Sequence, residues 1–247
     1  HDGNKAITCN DKEALIRALP GEIDKGFRLV VQERVFFDSV YDEIPCYVYV
    51  DEEHRVRMGG TAIKEKIQPF PYGTATVLRI SWHEELLDLA QQVAKALRWR
   101  GMLMIEFIRD KKDDRWKVIE VNGRPWLFVD FFRRSGLNYV GYLYEDLLGR
   151  REEWPDFKIL TEAAVRDSPV HISLPTAFEP PELGPGASIE PSSVADYVSS
   201  IPGSKCLTYL DPDDPEPGYR ELADMASTLG IGADALLAAL RPTLSSY

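Results

Sequence analysis

The sequence predicts an α+β protein in which hairpins of β-strands pack against amphipathic helices, without the regular β-α-β alternation of a parallel sheet. Two pairs of apolar, strand-like runs support this, each pair joined by a short polar turn: Ile44–Val50 with Val56–Met58, and Met102–Ile108 with Trp116–Val121. An amphipathic helical pattern lies between the two hairpins. The chain has 247 residues, 44% of them hydrophobic, which is enough for a substantial core.

The charge is unevenly distributed along the chain. The formal net charge is −11, but residues 1–150 are nearly neutral, and the acidic excess falls in residues 151–247 together with most of the prolines. We therefore expect a body over residues 1–150 and an acidic, proline-rich extension with short helices over residues 151–247. An acidic balance disfavours nucleic-acid binding, and no apolar run reaches the ~18–20 residues of a membrane span. Three widely spaced cysteines indicate neither a disulfide framework nor a zinc site, so we expect a cytoplasmic protein.

The first elements are a helix, a buried strand and a hairpin. Asn10 or Asp11 can cap a helix that Pro20 ends. The apolar run Arg28–Phe36 is typical of a buried strand. After the first hairpin, a weaker pattern at Gly60–Lys66 favours a further strand.

The middle of the chain contains the clearest helix. The stretch Gln68–Thr76 holds two prolines and a glycine and is predicted to be irregular. Ser81 and Glu84 have the spacing of a capping box, which predicts that the helix begins at Ser81. The apolar residues that form one face of this helix are Leu86, Leu89, Ala90, Val93, Ala94 and Leu97.

Regular patterning weakens after the second hairpin. The sequence predicts a loop or linker over Ser168–Ser193, because six prolines fall within it. The other elements of this half are short helices, predicted near Trp126–Ser135, Val140–Leu148, Val194–Ser199, Glu221–Leu229 and Ala233–Leu240.

The second hairpin brings two carboxylates together. If it is symmetric about Asp113, Glu106 lies directly opposite Glu120, and Asn122 points to the same face. Like charges at opposed positions repel, and the apolar neighbours of both residues make two bare charges costly. A shared proton or a bound cation would relieve the repulsion, and an all-oxygen set of ligands suits magnesium or manganese rather than zinc. The alternative is a hairpin whose glutamates simply face solvent.

The same residues are similar to those of a known family. Ile105–Phe107 (IEF) and Val118–Trp126 (VIEVNGRPW) resemble the end of the ATP-grasp nucleotide-binding fold, most closely its carboxylate–amine ligase-like branch. Val30–Val35 (VVQERV) resembles the strand that enters the family's adenine-contacting hinge. Pro71–Thr76 (PYGTAT) resembles its proline-to-glycine loop.

The resemblance implies an ATP-grasp fold and an ATP- and magnesium-dependent ligase. Such enzymes phosphorylate a carboxylate with ATP and then let an amine attack the acyl phosphate. Glu106, Glu120 and Asn122 would bind magnesium ions on the ATP phosphates. Arg124 would steady the transferred phosphoryl group in catalysis, because a guanidinium is permanently charged and bidentate. The alternative for Arg124 is a salt bridge to a hairpin carboxylate.

The resemblance also implies a nucleotide site built from residues before the second hairpin. A carboxylate after the hinge, Asp38, Asp42 or Glu43, would bind the ribose, and Glu43 is favoured. Lys64 and Lys66 lie where the family places a basic residue that faces phosphates, and Lys66 is assigned to catalysis. The alternative is that both lysines belong to a charged edge strand. The residues of this hinge are Gln32, Glu33, Arg34 and Val35. The backbone groups of Glu33 and Val35 would contact adenine.

The chain also departs from the family's pattern. The resemblance extends from about Lys5 to Gly149, and the family's glycine-rich loop and ATP-binding lysines before the hinge lack a counterpart, except that Lys5 resembles one such lysine. Because the first residue is His1, we expect the C-terminal part of a longer enzyme, with a missing N-terminal domain or a homo-oligomeric partner. Gly123 stands where many relatives have proline. Trp126 is predicted to anchor a helix in the core.

Two other functions stay open at this point. One is a nucleotide-binding or scaffolding domain without catalysis, which the missing glycine-rich loop favours. The other is a carboxylase or carbamoyl-phosphate type of ATP-grasp enzyme, which the lack of a biotin-carrier signature disfavours.

Overall fold

The computed structural model describes residues 7–68, 73–150, 158–159, 165, 168–178 and 189–244. The strands in these parts of the chain are β1 (Glu43–Val50), β2 (Val56–Gln68), β3 (Thr74–Ser81), β4 (Gly101–Asp110), β5 (Arg115–Asn122), β6 (Lys158–Ile159), β7 (Val170–Ile172) and β8 (Lys205–Leu207). They form one sheet in the order β5-β4-β1-β2-β3-β7-β8, with β6 paired to β2. The pairs within β1–β5 are antiparallel, and β6 and β8 are added in parallel.

The helices are distributed along the whole described chain. They are α1 (Lys12–Asp24), a 3₁₀ turn (Val40–Asp42), α2 (Glu84–Leu97), α3 (Val129–Arg134), α4 (Tyr139–Leu147), α5 (Leu174–Ala177), α6 (Pro191–Ser200), α7 (Glu216–Thr228) and α8 (Ala233–Leu244). Hairpins and helices in this irregular order confirm the predicted α+β class. None of the helices that the structure describes has the length and apolar character needed to cross a membrane.

The sheet buries both of its faces under helices. Side chains alternate along β1, so that Tyr47 and Tyr49 pack with residues of α3 and α4 on what we call the first face. Cys46 and Val48 point to the second face, where they pack against Leu86 of α2. Strands buried on both faces explain the nearly continuous apolar sequence of β1. The first face carries a cluster of aromatic rings in mutual contact: Tyr47, Trp126, Phe131, Phe132 and Tyr139.

The chain after residue 168 extends this same sheet. β7 pairs with β3 and β8 pairs with β7, and Val170 and Ile172 pack with α6, α7 and α8 on the second face. The predicted linker Ser168–Ser193 is therefore wrong over β7 and α5. The free edge of β3 supplies the hydrogen-bond partners for β7, and such a distant pairing leaves no signal in the local sequence.

Helix α1 does not end where the sequence predicts. The Asp11 side chain accepts a hydrogen bond from the Ala14 N–H at 2.6 Å, as expected of an N-cap, but the helix continues through Pro20 to Asp24. No residue of α1 is buried, so water can satisfy the backbone carbonyl that Pro20 leaves without a donor.

The predicted buried strand Arg28–Phe36 is also wrong. This segment has no regular secondary structure, and Val30 is 86% exposed. Among the described residues no strand lies beside it, so its apolar side chains have no sheet to join. It is attached to the tip of the β4–β5 hairpin, where the Lys111 N–H donates to the Phe36 carbonyl oxygen at 2.8 Å.

The start of α2 differs from the predicted capping box. Ser81 is the last residue of β3, and its hydroxyl lies 3.0 Å from the Thr61 hydroxyl of β2. The helix begins at Glu84, and His83 at its N-cap makes no side-chain hydrogen bond to it. The predicted irregular stretch ends earlier than expected, because β3 begins at Thr74, and residues 69–72 lie outside the described part.

His171 is buried in the first face where the C-terminal strands join the aromatic cluster. It is 2% exposed, and its ring lies 4.8 Å from the Phe128 ring and 5.6 Å from the Phe131 ring. Its Nε2 is 3.2 Å from the Thr208 hydroxyl, whereas its Nδ1 has no hydrogen-bond partner among the described residues. Burial lowers the pKa of His171 from 6.5 to about 3, so the folded protein keeps this ring neutral.

This burial predicts an acid-sensitive stability. Below pH 6.5 the unfolded chain binds a proton at His171 and the folded chain does not, so the stabilisation present above pH 6.5 is lost as the pH falls toward 3. The free energy of unfolding should fall by up to about 1.4 kcal/mol per pH unit from this one group. Urea unfolding at several pH values between 7.5 and 5 measures the slope.

The variant His171→Phe should show a shallower slope, whatever its absolute stability. His54→Asn is the control, because His54 lies in the β1–β2 turn at φ 63°, where asparagine is tolerated. An unchanged slope in His171→Phe would remove His171 as the source of the acid sensitivity.

Candidate functional site

The β4–β5 hairpin places the predicted carboxylates opposite each other. Glu106 pairs with Glu120, and Met104 pairs with Asn122, so the predicted register is confirmed. Near the turn, however, Phe107 pairs with Val118, and Ile119 is an extra residue that forms a β-bulge. Without the bulge Glu106 would lie opposite Ile119, and Glu120 would point to the other face. The pairing of the two glutamates therefore depends on Ile119.

Two further charged residues join Glu106 on the first face. Lys64 of β2 reaches across to Glu43 of β1 and to Glu106 of β4, with its Nζ 2.6 Å from Glu43 Oε1 and 3.0 Å from Glu106 Oε1. The three side chains are only 11%, 14% and 16% exposed for Lys64, Glu43 and Glu106. We call Glu43, Lys64, Glu106 and Glu120 the carboxylate cluster.

Lys64 remains charged within the carboxylate cluster. Burial acts to lower the pKa of its ammonium group, but the carboxylates of Glu106 and Glu43 act more strongly together, and the net shift is upward. The ammonium group offsets one of the two carboxylate charges of Glu43 and Glu106. With Glu120 included, the cluster keeps a formal charge of −2, which a cation could offset.

Glu120 and Asn122 lie at the open side of the cluster. β5 is an edge strand, Glu120 is exposed and Asn122 is half-buried. The expected apolar surroundings are therefore present for Glu106 but not for Glu120. An exposed carboxylate opposite a partly exposed one allows an ion to reach both from solvent.

Gly123 follows the cluster at a point of close approach. A Cβ atom there would lie 2.2 Å from the Trp99 ring, which is closer than any real contact. The Trp99 indole N–H donates to the Met102 carbonyl oxygen at 3.1 Å, and this fixes the ring against the hairpin. Glycine at this position is therefore required by packing.

Arg124 and Trp126 point in different directions. Arg124 is exposed, and its only hydrogen bond among the described residues goes to the Pro125 carbonyl oxygen at 3.3 Å. The alternative of a salt bridge to a hairpin carboxylate is not observed for Arg124. Trp126 is 4% exposed within the aromatic cluster, which confirms that it anchors the core.

Lys66 is not brought together with Lys64. In a regular strand the two would share a face, but Glu65 is an extra residue, since Lys64 pairs with Leu78 and Lys66 pairs with Val77. The bulge turns Lys66 to the second face, where its Nζ lies 4.4 Å from the centre of the Tyr197 ring of α6. Its position gives no support to the predicted catalytic role.

The predicted hinge lies away from the cluster. Gln32, Glu33 and Arg34 are exposed and Val35 is half-buried, and Glu33 forms a surface ion pair with Lys112. No contact among the described residues joins these four to the carboxylate cluster. Their assignment to adenine binding stays a prediction.

The three ribose candidates are in different environments. The carboxylate of Asp42 accepts hydrogen bonds from the Asp38 and Ser39 N–H groups and pairs with Lys111 at 2.8 Å, which gives it a structural role. Asp38 is exposed, and Glu43 is held by Lys64. The contact between Glu43 and Lys64 was not predicted, although period-two alternation allows both side chains to lie on the same face of neighbouring strands.

Comparison with known proteins gives a sequence match to a ligase. No family model matches the chain. It is 27% identical to a D-aspartate ligase of Enterococcus faecium (strain Aus0004) over 146 residues, which are 58% of this chain and 34% of the relative. The chain therefore spans about a third of the length of this curated relative. The match agrees with the resemblance to the carboxylate–amine ligase-like branch of the ATP-grasp enzymes.

Two of the solved structures with partial similarity are carboxylase components. The biotin carboxylase domain of the Hydrogenobacter thermophilus 2-oxoglutarate carboxylase, in complex with MgADP, ADP and bicarbonate, matches with a TM-score of 0.36 and 20% identity over 46% of this chain and 26% of that one. The ATPase subunit of phosphoribosylaminoimidazole carboxylase from Aquifex aeolicus matches with a TM-score of 0.37 and 16% identity over 47% of this chain and 36% of that one.

The buried ion contacts predict a large effect of removing Lys64. Lys64→Met leaves Glu43 and Glu106 facing each other without a counter-ion, and the free energy of unfolding should fall by about 3 kcal/mol at pH 7. Replacing Glu106 with glutamine in the same protein should restore part of this loss, because one of the two charges is removed. Urea unfolding of the single and double variants measures both effects.

Lys112→Met is the matched control. Lys112 pairs with Glu33 on the surface, and its loss should change stability by no more than about 0.5 kcal/mol. Equal losses in Lys64→Met and Lys112→Met would contradict a stabilising role for the buried contacts.

Proposed function

We propose that this chain is the metal-binding and carboxylate-activating part of an ATP- and magnesium-dependent ligase of the ATP-grasp superfamily, which joins a carboxylate to an amine. The observation that carries the proposal is the pairing of Glu106 with Glu120 on one face of the sheet, with Asn122 two residues further along. The sequence similarity to a D-aspartate ligase supports a ligase rather than another use of these oxygens.

The residues present fit magnesium bound together with a nucleotide. Among the described residues no group of three or more His, Cys, Asp or Glu side chains has the arrangement of a metal site. The protein offers two carboxylates and one amide oxygen, from Glu106, Glu120 and Asn122. Magnesium in such enzymes is held by one or two carboxylates and completed by phosphate oxygens and water, so this small set is sufficient. Manganese would fit the same oxygen ligands.

The proposed reaction has two steps. A carboxylate oxygen of the first substrate forms a bond to the γ-phosphorus of ATP while the bond from that phosphorus to the leaving oxygen of ADP breaks. The nitrogen of the amine then forms a bond to the acyl carbon, phosphate leaves, and the amine releases a proton. When bound, magnesium would reduce the repulsion between the triphosphate and the incoming carboxylate.

Residues of this chain would contribute charge and position. Arg124 is exposed and free of carboxylate partners among the described residues, so its guanidinium can bind the phosphoryl group. Lys64 would hold Glu43 and Glu106 in place despite their mutual repulsion, and it could donate to a phosphate if Glu106 turned toward a metal. Glu43 remains the proposed ribose ligand, and Gln32–Val35 remains the proposed adenine hinge.

The first substrates to test are amino acids. The relative acts, by its name, on D-aspartate, and aspartate in either configuration carries the carboxylates that the reaction needs. Hydroxylamine can replace the unknown amine, because it captures an acyl phosphate as a hydroxamate that iron(III) reveals by colour. Hydroxamate formed only with ATP, magnesium and one amino acid would support the ligase. A protein that binds MgADP but forms no hydroxamate would instead support the non-catalytic nucleotide-binding alternative.

Nucleotide binding should stabilise the protein through Glu120. At an ADP concentration about a hundred times Kd with excess magnesium, the melting temperature should rise by roughly 5–10 °C. Glu120→Gln should abolish most of this shift, because the exposed carboxylate opposite Glu106 is lost without disturbing the core. Thermal melts with and without MgADP measure the shift.

Glu53→Gln serves as the control for this experiment. Glu53 lies in the β1–β2 turn, and its side chain forms only a surface ion pair with Arg55 within the described part of the chain, so its variant should keep the full shift. A full shift in Glu120→Gln would remove Glu120 from the metal site.

A further inference from the structure

Two buried hydrogen-bond donors lack acceptors in the aromatic cluster of the first face. The Tyr47 hydroxyl and the Trp126 indole N–H have no hydrogen-bond partner among the described residues. Tyr47 is 0% and Trp126 is 4% exposed, so water does not satisfy these groups at the surface. The two rings are in contact, with centres 4.8 Å apart.

Other tyrosine hydroxyls on the first face are satisfied. The Tyr139 hydroxyl donates to the Tyr47 carbonyl oxygen at 2.8 Å, and the Tyr49 hydroxyl donates to Asp146. A buried donor without an acceptor costs free energy, and native proteins retain few of them. Two such donors side by side therefore require an explanation beyond the packing of the core.

Their position relates them to the carboxylate cluster. Across the sheet, Tyr47 pairs with Met104, and Met104 pairs with Asn122, so Tyr47 lies in the same cross-strand row as Asn122. The next row on this face contains Glu106 and Glu120. Trp126 follows Asn122 by four residues, after a bend at Arg124. Tyr47 thus lies one row away from the glutamates assigned to magnesium, on the side of the aromatic core, and the Trp126 ring is in contact with the Tyr47 ring.

The hydrogen-bonding groups of Tyr47 and Trp126 indicate the kind of ligand that these two side chains can bind. An indole N–H can only donate, and burial, with Glu106 nearby, raises the pKa of the Tyr47 hydroxyl well above 10, so it stays a donor as well. Two neutral donors can bind one oxygen of a carboxylate or acyl group. A triphosphate carries more negative charge and is bound by cationic groups instead. Glu106 and Asn122 are partly exposed, so a ligand can approach from their side.

We propose that the Tyr47 hydroxyl and the Trp126 indole N–H bind a carboxylate oxygen of the substrate that is activated beside the metal ligands. This inference rests on the proposed function and adds to it the part of the site that selects the carboxylate. The ligand-free protein bears the cost of the unsatisfied groups, and substrate binding relieves it.

The first test compares two tyrosines in the ligand-free chain. Tyr47→Phe removes a hydroxyl that has no partner, so the melting temperature should stay within about 1 °C of the wild type or rise. Tyr139→Phe removes a hydroxyl that donates to the Tyr47 carbonyl, and the melting temperature should fall by at least about 2–4 °C. An equal fall in both variants would show that the Tyr47 hydroxyl has an internal partner, and it would overturn the proposal.

The second test measures carboxylate binding. The probes are D- and L-aspartate, D- and L-glutamate and D- and L-alanine, added to the full chain with magnesium and a non-hydrolysable ATP analogue, and followed by calorimetry. For the member that binds best, Tyr47→Phe and Trp126→Phe should each weaken binding by about tenfold or more. Tyr139→Phe should bind it like the wild type, and MgADP should stabilise all of these variants equally.

The outcomes separate this inference from the proposed function. If MgADP stabilises the wild type but Tyr47→Phe binds the carboxylate as tightly as the wild type, only the donor pair is overturned. The donor pair alone is also overturned if the wild type binds MgADP but binds none of the six amino acids. If the wild type binds neither MgADP nor any carboxylate, the proposed function fails, and the inference built on it fails with it.

Discussion

Three charged side chains from three neighbouring strands meet on the first face: Glu43 of β1, Lys64 of β2 and Glu106 of β4. β1 lies between the other two strands, and its register with each decides whether these side chains can meet. Two carboxylates this close, and this well shielded from water, are tolerable only because the Lys64 ammonium lies within hydrogen-bond distance of both. The contacts fix the polar end of the sheet, as the aromatic cluster fixes the rest of the first face. They also hold Glu106 in the orientation in which Glu120 lies opposite it.

Two β-bulges decide which side chains join the carboxylate cluster. The extra residue Ile119 brings Glu120 back to the face of Glu106, and the extra residue Glu65 sends Lys66 to the opposite face from Lys64. A shift of one residue in either strand would exchange the members of the cluster. The bulges thus determine which residues lie in the carboxylate cluster. A bulge arises from the way two strands pair, and the amino-acid composition of a strand does not reveal it.

Much of the central fold was predictable from the sequence. The hairpins β1–β2 and β4–β5 are local in sequence, and alternation with short polar turns revealed them. Helix α2 has a regular apolar face, so its existence was predictable, although its first turn was not. The Glu106–Glu120 pair followed from assuming a symmetric hairpin, and the bulge at Ile119 makes that assumption hold where it matters.

The errors have a common physical cause. The strand predicted at Arg28–Phe36 needs a neighbouring strand that the described chain does not provide, and β7 forms within a proline-rich stretch because β3 offers it an edge. Long-range pairing overrides local propensity in both cases. The contact of Lys64 with two glutamates depends in the same way on the order of three strands. The family resemblance placed both Lys64 and Lys66 near the phosphates, and it could not show that a bulge separates them.

The central claim is that Glu106 and Glu120 together bind a divalent ion with a nucleotide. Electron paramagnetic resonance of Mn²⁺, titrated into the full chain with ADP, measures this binding directly. The account predicts saturable Mn²⁺ binding that requires ADP, that weakens by about tenfold or more in Glu106→Gln and Glu120→Gln, and that is unchanged in Glu53→Gln. Mn²⁺ that binds equally well to the wild type and to both hairpin variants would contradict it.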